Sequence, residues 1–201
     1  MARPSVSTGG SSSHSDADVD ALDGVTVGDI DAAAREHYKF PADLTKGALF
    51  HHFPDKKSLA AAWIGDSLAT SIRDLWVTPL AALGTLDALR SLCRARCLEL
   101  EPGDATSALV ALTAETAATD PRLGAALERI FAGWRAAVAG LLERGQADGW
   151  IHPSIQPAGE AVFLVASIAG FSVTTRCHPD ESIRRTCATA VEGYLETLRA
   201  Q

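Results

Sequence analysis

The sequence predicts an all-α protein with a short N-terminal helical module and a longer C-terminal helical body. Three observations support this fold class. From Ser58 onward apolar residues recur at helical spacing, and no stretch alternates in the manner of a strand. Prolines and glycines interrupt that spacing where helices are expected to end. Thr119, Asp120 and Pro121 form a strong start signal, with a capping side chain before a proline at the first helical position.

The body divides into six predicted helices. Pro79 and Gly84 are expected to end the first helix, and Thr85 caps the second. Residues 102–104 and 153–157 contain prolines and form two of the later connections. The predicted helical ranges are 58–76, 85–100, 106–118, 121–146, 158–177 and 180–199.

Residues 44–59, which read LTKGALFHHFPDKKSL, combine a helix start with basic and aromatic side chains. Thr45 and Gly47 are small residues at a helix N-terminus, where free backbone N–H groups and the positive end of the helix dipole can face a phosphate. Lys46 and Lys56 supply cations around that point. The combination suits contact with DNA.

The stretch from Thr45 to Leu59 resembles the recognition helix and following turn of the TetR family of transcriptional repressors, which commonly reads S/T-K-G-x-L-Y-x-H-F-x-x-K-x-x-L. The resemblance implies that this helix enters the major groove and contacts bases and phosphates. Residues 26–34, TVGDIDAAA, are similar to the start of the preceding helix in that family. The DNA-binding residues that the resemblance implies are Thr26, Thr45, Lys46, Gly47, Phe50, His51, His52 and Lys56.

The N-terminal region departs from the family pattern in three places. Phe50 stands where the family usually has tyrosine, so a hydroxyl that would bond a phosphate is missing. Residues 1–24 carry serines, glycines and aspartates without an apolar stripe, and are predicted to be a tail rather than a first helix. Residues 35–44 lengthen a connection that helix-turn-helix geometry needs to be short. We therefore expect a tail at 1–24, a helix-turn-helix DNA-binding module at 25–57, and a ligand-binding and dimerisation domain at 58–201.

Composition limits the remaining function classes. The chain has 201 residues, a formal net charge of −7 and a sequence pI near 5.3, which excludes a general nucleic-acid coater and leaves DNA contact to a local basic patch. No apolar run is expected to be long enough to span a bilayer, and residues 2–13 lack the core of a signal peptide, so we expect a cytoplasmic protein without a membrane partner. Four cysteines without CxxC spacing do not predict a disulfide scaffold or a zinc site.

The last two predicted helices have the composition of an interface. The first of them, 158–177, is apolar nearly all round, and the second, 180–199, carries an apolar stripe. A helix pair with more apolar surface than one core can cover predicts a two-fold four-helix contact, and hence a homodimer. The TetR resemblance implies the same interface. The alternative is that both helices cover only their own core.

A pocket for a small-molecule effector is expected inside the body, between its central helices. The stretches TDPRL, IFAGWRAAVAGLL and GWIHPSIQP resemble the C-terminal domains of TetR repressors that sense electrophiles and small organic molecules. Glu115 is the best polar candidate, because a buried carboxylate needs a partner. For each candidate a plain role in the core is the competing interpretation. The candidates are large or amphiphilic residues on apolar faces, namely Trp76, Cys93, Cys97, Thr113, Glu115, Trp134 and Phe163.

Catalysis is not indicated. His51 and His52 are adjacent and point about 100° apart on a helix, so both cannot easily bind one ion, and no HExxH spacing occurs. A glycine-rich phosphate loop and a nucleophile elbow are also missing. We expect no enzyme activity, no metal and no cofactor.

The favoured hypothesis is a homodimeric transcriptional repressor that binds a palindromic operator and is released from it by a small-molecule effector. The tail and the insertion at 35–44 leave a second hypothesis open, a dimeric small-molecule-binding protein whose TetR-like body has lost DNA binding. Binding to DNA and its dependence on salt discriminate between the two.

Overall fold

A computed structural model describes residues 56–99, 104–177 and 180–201, and these form a helical body. Within these ranges the chain contains no strand, and its one extended pairing is an isolated antiparallel bridge between Ile151 and Arg199. The predicted tail and nearly all of the predicted DNA-binding module lie outside the described residues. The helices are α1 (56–82), α2 (Leu86–Glu99), α3 (Ala105–Thr116), α4 (Pro121–Ala147), α5 (Pro157–Cys177) and α6 (Glu181–Glu196).

Helix α1 is longer than predicted and contains two wide turns. Its α-helical parts are joined by π turns at Ile64–Leu68 and Arg73–Val77, and the amide of Thr78 donates to the carbonyl of Arg73, five residues back. The prediction that Pro79 ends this helix is wrong. Pro79 follows the second π turn after one residue, Thr78, and Leu75, four residues before Pro79, lies inside that turn. The wider backbone there relieves the clash of the proline ring with the preceding turn, and the helix continues to Ala82.

The other helix ends follow the signals in the sequence. The carboxylate of Asp120 accepts from the amides of Arg122 and Leu123 at 3.0 and 3.2 Å, and α4 begins at Pro121 as predicted. Asp104 caps α3 in the same way, by accepting from the Ser107 amide at 2.7 Å. Gly149 has a φ of 81°, which favours glycine, and turns the chain after α4. The predicted ranges of α2 to α6 are confirmed to within a few residues.

The core lies where α1, α3 and α4 meet, with two helix pairs beside it. Helix α2 packs mainly against α6, while α5 packs mainly against α4. Lys57 meets Asp120 at one end of α1, and Trp76 meets Thr106 near the other, so α1 and α3 run antiparallel. The largest fully buried side chains include Trp76 and Trp134. The body thus has a buried central cluster with helix pairs packed around it.

Helix α5 corrects one prediction from the sequence. Residues Pro157–Thr175 reach a mean hydropathy of 1.5 over a length that could cross a membrane, so the expectation that no such run exists was wrong. About 33% of this stretch is buried in the body. One face of the helix, including Leu164 and Ile168, packs into the core, and its other face is also apolar. The high hydropathy of this helix therefore comes from a core face together with a second, exposed apolar face.

Candidate functional site

Two tryptophans form the centre of the body. The indole rings of Trp76 on α1 and Trp134 on α4 stack with 4.7 Å between ring centroids, and both are almost fully buried. Nε1 of Trp76 donates to Oγ1 of Thr106 at 3.3 Å. Nε1 of Trp134 is buried and has no hydrogen-bond partner among the described residues. A buried donor of this kind is a candidate contact for a ligand acceptor or a water molecule.

Helix α3 meets the tryptophan pair at Thr106 and carries two of the predicted ligand contacts further along, at Thr113 and Glu115. The hydroxyl of Thr113 donates to the carbonyl of Leu109 at 2.7 Å, which leaves its acceptor capacity available. Glu115 is half-buried, and its Oε2 atom is inaccessible without a partner in the described part of the chain. Ser67 on α1 also has a buried Oγ atom without a partner in the described part of the chain. Polar atoms in this state are candidates for contact with a ligand donor.

The predicted contacts Cys93 and Cys97 lie elsewhere, in the interface of α2 with α6. Both are buried. Burial raises the pKa of Cys97 to about 12, and the neighbouring Cys187 and Glu192 add to the effect. Burial likewise raises the pKa of Cys93 far above its usual value. These thiols are protonated at neutral pH and pack as small hydrophobic side chains.

Phe163 lies outside the core, on the outer face of α5. Its side chain is 52% exposed, and its ring contacts that of Tyr194 on α6 with 4.6 Å between centroids. The hydroxyl of Tyr194 donates to the carboxylate of Glu160, which joins the two helices further. Val162 and Val173 are also about half exposed on this face of α5. The face is therefore a candidate partner surface rather than the lining of an internal pocket.

A cleft of about 390 Å³ runs between α1 and α4, and sequence reasoning missed it. Gly65 and Ala69 line its α1 side, while Ala126 and Gly133 line its α4 side. The signal in the sequence was small residues at helical spacing on two helices, but only their packing places the two sets opposite each other. Arg73 and Arg129 complete the lining with positive charge.

The junction with the predicted DNA-binding module is marked by an ion pair. Lys56 is the first residue of α1, and the other predicted DNA-binding residues lie outside the described residues. Nζ of Lys57 is 3.3 Å from Oδ2 of Asp120, which also caps α4. The amide of Leu123, with help from Lys57, holds the pKa of Asp120 below its usual value. This pair links the start of α1 to the start of α4.

Titratable residues do not gather into a metal site in the part of the chain that the structure describes. No group of three or more His, Cys, Asp or Glu side chains is placed to hold an ion there. His37, His51 and His52 lie outside the described residues.

Comparisons with known proteins found a family model and solved structures that are similar to this chain. Residues 85–200 match the family model described as BetI-type transcriptional repressor, C-terminal. No curated protein matches the sequence.

Three solved structures illustrate the likeness of fold. A TetR-family transcriptional regulator from Cytophaga hutchinsonii has a TM-score of 0.70 and 16% identity, over 91% of this chain and 90% of that one. A TetR transcriptional regulator from Chloroflexus aurantiacus has a TM-score of 0.68 and 22% identity, over 90% and 88%. The reduced form of E. coli NemR has a TM-score of 0.63 and 18% identity, over 90% and 89%.

Proposed function

The chain belongs to the TetR family of transcriptional regulators, through a BetI-type C-terminal domain over residues 85–200, and we propose that it is a homodimeric, effector-released repressor. One observation carries the proposal. Helix α1 begins at Lys56, inside the recognition-helix motif of residues 44–59, and runs without a break to Ala82 in the body. A shift of the body end of this helix therefore displaces the DNA-reading end.

DNA contact is assigned to the N-terminal module. Two recognition helices of a dimer would bind successive major-groove half-sites of a palindromic operator. The cations of the motif would hold phosphates, and the helix N-terminus at Thr45 would add its backbone amides. The proposed DNA-binding residues are Thr26, Thr45, Lys46, Gly47, Phe50, His51, His52 and Lys56.

The dimer is assigned to α5 and α6. Val162, Phe163 and Val173 are 54%, 52% and 45% exposed, and they lie on one face of α5. The small residues Ala190 and Gly193 are exposed on α6 and allow close approach of a second helix pair. A two-fold axis through this face would bury the apolar side chains against their copies and set the distance between the two recognition helices.

The effector is assigned to the helical body. Trp76, Trp134, Thr113 and Glu115 lie on the three helices of the central core, and two of them present buried polar atoms without partners. Cys93, Cys97 and Phe163 are set apart from that centre, so we assign them to packing and to the partner face. An effector that binds one arrangement of α1 and α4 better than the other shifts the dimer between a DNA-binding and a released state.

The family is one of transcriptional regulators rather than enzymes. We place the protein in the cytoplasm, where DNA is accessible. Helix α5 then serves as a partner-facing body helix rather than as a membrane span.

Binding to DNA from the region upstream of its own gene tests the proposal. The full chain is compared with a Lys46→Ala, His51→Ala variant by gel shift at two salt concentrations. We expect saturable binding that weakens steeply with salt, because each phosphate contact releases about one counterion. Binding should be lost in the variant. A matched Arg185→Ala variant removes a cation from α6, far from the motif, and should bind as the parent does.

Two results would reject the proposal. Binding that survives the double substitution would show a non-specific electrostatic contact. A folded dimer that does not bind the upstream DNA at either salt concentration would favour the second hypothesis, a small-molecule-binding body without a DNA-reading function.

A further inference from the structure

The cleft between α1 and α4 is the feature of the body that points most directly to a ligand. We propose that it binds an amphiphilic organic anion, an apolar chain or ring that ends in a carboxylate or another acidic group. The proposal deepens the proposed function, on which it rests for its effect on DNA binding. Its lining, charge and backbone each support this class of ligand.

The cleft is open to solvent because small residues lie at its mouth. Gly65 on α1 and Gly133 on α4 are exposed there, and a Cβ atom added to either would meet no atom of the described residues within 4 Å. Ala69 and Ala126 extend the two sides of the cleft. Close-packed helices do not normally leave a gap of about 390 Å³, which is within the range of small-ligand sites.

The backbone of α1 is irregular where it forms the cleft wall. Gly65 lies in the first π turn, while Arg73 and Val77 begin and end the second. Single π turns inside α-helices are uncommon and often occur at functional sites. Here both π turns contribute residues to the cleft wall, so the irregular backbone and the cleft occur together.

The walls and the rim provide different chemistry. The apolar walls are formed by Ile72, Val77 and Ile130. The buried Trp76 lies one turn beyond Ile72 on α1, and the buried Trp134 lies one turn beyond Ile130 on α4. Apolar atoms thus dominate the interior.

The rim is positively charged. Arg73 and Arg129 are exposed guanidinium groups that stand one on each helix, and no carboxylate is among the described residues that line the cleft. Asp74 approaches Nε of Arg73 to 3.6 Å but lies outside the lining. Guanidinium groups form paired hydrogen bonds with carboxylates and phosphates, so an acidic head group held between them would leave its apolar part in the cleft.

The test measures binding of decanoate to the full chain by calorimetry, with decanol as the uncharged probe of the same length. We expect decanoate to bind about tenfold or more tightly than decanol, because only the anion pairs with the two arginines. Arg73→Gln and Arg129→Gln should each weaken decanoate binding about three- to tenfold and leave decanol binding nearly unchanged.

A filling variant tests the place of binding. Gly133→Leu puts a side chain into open space in the cleft and should weaken both probes about tenfold or more without loss of folding. Ala132→Leu adds the same bulk one residue earlier, at an exposed position outside the lining, and should bind both probes like the parent. Thermal unfolding of both variants confirms that they are folded.

The outcomes separate this inference from the proposed function. Equal affinity for decanoate and decanol, or an unchanged affinity in a folded Gly133→Leu variant, overturns the anion site even if the protein binds operator DNA. Decanoate binding that needs both arginines in a protein that does not bind DNA upholds the site and rejects the repressor. Release of operator DNA by decanoate, lost in Gly133→Leu, supports both.

Discussion

Trp76 and Trp134 stack at 4.7 Å with 28° between their ring planes, and they join α1 to α4 through the centre of the body. Among the described residues, only one of the two indoles has a partner for its N–H group. Nε1 of Trp76 donates to Thr106, which adds α3 to the contact, whereas Nε1 of Trp134 is buried and finds no partner in that part of the chain. The stacking contact and the hydrogen bond thus add two specific contacts to the apolar packing of the helix that leads to the predicted DNA-binding module.

Substitution of each tryptophan by phenylalanine should separate these two contacts. Both changes remove similar volume, but Trp76→Phe also leaves the Thr106 hydroxyl without its donor, while Trp134→Phe removes a donor that has no partner. We expect Trp76→Phe to lower the free energy of unfolding by about 1 kcal/mol more than Trp134→Phe does. Urea unfolding of both variants measures the difference. Equal losses would mean that the hydrogen bond to Thr106 contributes nothing.

A second prediction concerns Gly145, near the end of α4. A Cβ atom at this position would lie 2.6 Å from Cγ1 of Ile151 and 2.7 Å from Cη2 of Trp150. The Gly145 carbonyl also accepts from the amides of these two residues, at 3.0 and 2.9 Å, so the turn cannot easily move away. Gly145→Ala should lower the free energy of unfolding by about 1–3 kcal/mol.

The control is Gly133→Ala on the same helix. Nothing lies within 4 Å of its added Cβ atom, so this change should stabilise the protein by up to about 1 kcal/mol through helix propensity. Thermal unfolding should therefore move in opposite directions for the two variants. A Gly145→Ala protein as stable as the parent would show that the contact with Ile151 relaxes without loss.

An ion pair between α2 and the segment that follows α6 makes a pH-dependent contribution to stability. Nη2 of Arg199 lies 2.8 Å from Oδ1 of Asp87. The hydrogen bond and the charge of Arg199 hold the pKa of the Asp87 carboxyl below its ordinary value of 3.8. Because the folded-state pKa is depressed, the stabilisation is present above the unfolded value and is lost as pH falls through the folded value. Exposed pairs contribute little, so Asp87→Asn should lower Tm by no more than about 4 °C at pH 7.

Scans of the parent and of Asp87→Asn over a range of pH check this prediction. The difference in Tm should be constant above about pH 5 and should shrink below the ordinary pKa of 3.8, because the unfolded state then takes up a proton at Asp87 before the folded state does. It should vanish below the depressed folded-state pKa, where the carboxyl is protonated in both states. It should also shrink at high salt. A difference in Tm that persists in strong acid would mean that Asp87→Asn destabilises the protein by changing its packing and not by removing the ion pair with Arg199.

The sequence was most informative where a local signal decides the structure. Asp120 followed by Pro121 predicted the start of α4, because the cap and the proline act on the same turn whatever surrounds them. It was misleading at Pro79, where the local rule predicts a helix end. The preceding π turn at Arg73–Val77 changes the backbone that the proline meets, and this turn has no clear signal in the sequence.

Only part of the candidate site could be predicted from the sequence, for a similar reason. The sequence predicts Trp76 and Trp134 as ligand contacts because both are large residues on apolar faces. Their stacking, however, depends on the register of α1 against α4. Phe163 was chosen by the same rule and lies on the outer face, because hydropathy does not distinguish a core face from a partner face. The cleft between Gly65 and Gly133 was missed, since a gap is a property of packed helices and not of either sequence segment.

The exposed face of α5 supports the last prediction, on assembly. Val162 is 54% exposed and lies beside Phe163, at the centre of the proposed two-fold contact. Val162→Glu would place two carboxylates, one from each subunit, in an apolar interface. An unpaired buried charge is strongly destabilising, so we expect the free energy of dimerisation to weaken by about 3 kcal/mol. The dimer dissociation constant should then rise at least a hundredfold.

Sedimentation equilibrium measures this constant for the parent, for Val162→Glu and for Ala132→Glu, which places the same charge at an exposed position of α4. We expect a dimer for the parent and the Ala132→Glu control, and a folded monomer for Val162→Glu. A Val162→Glu protein that remains dimeric would move the interface away from this face of α5. Parallel weakening in the Ala132→Glu control would instead show that added negative charge, in a chain of net charge −7, opposes association in general.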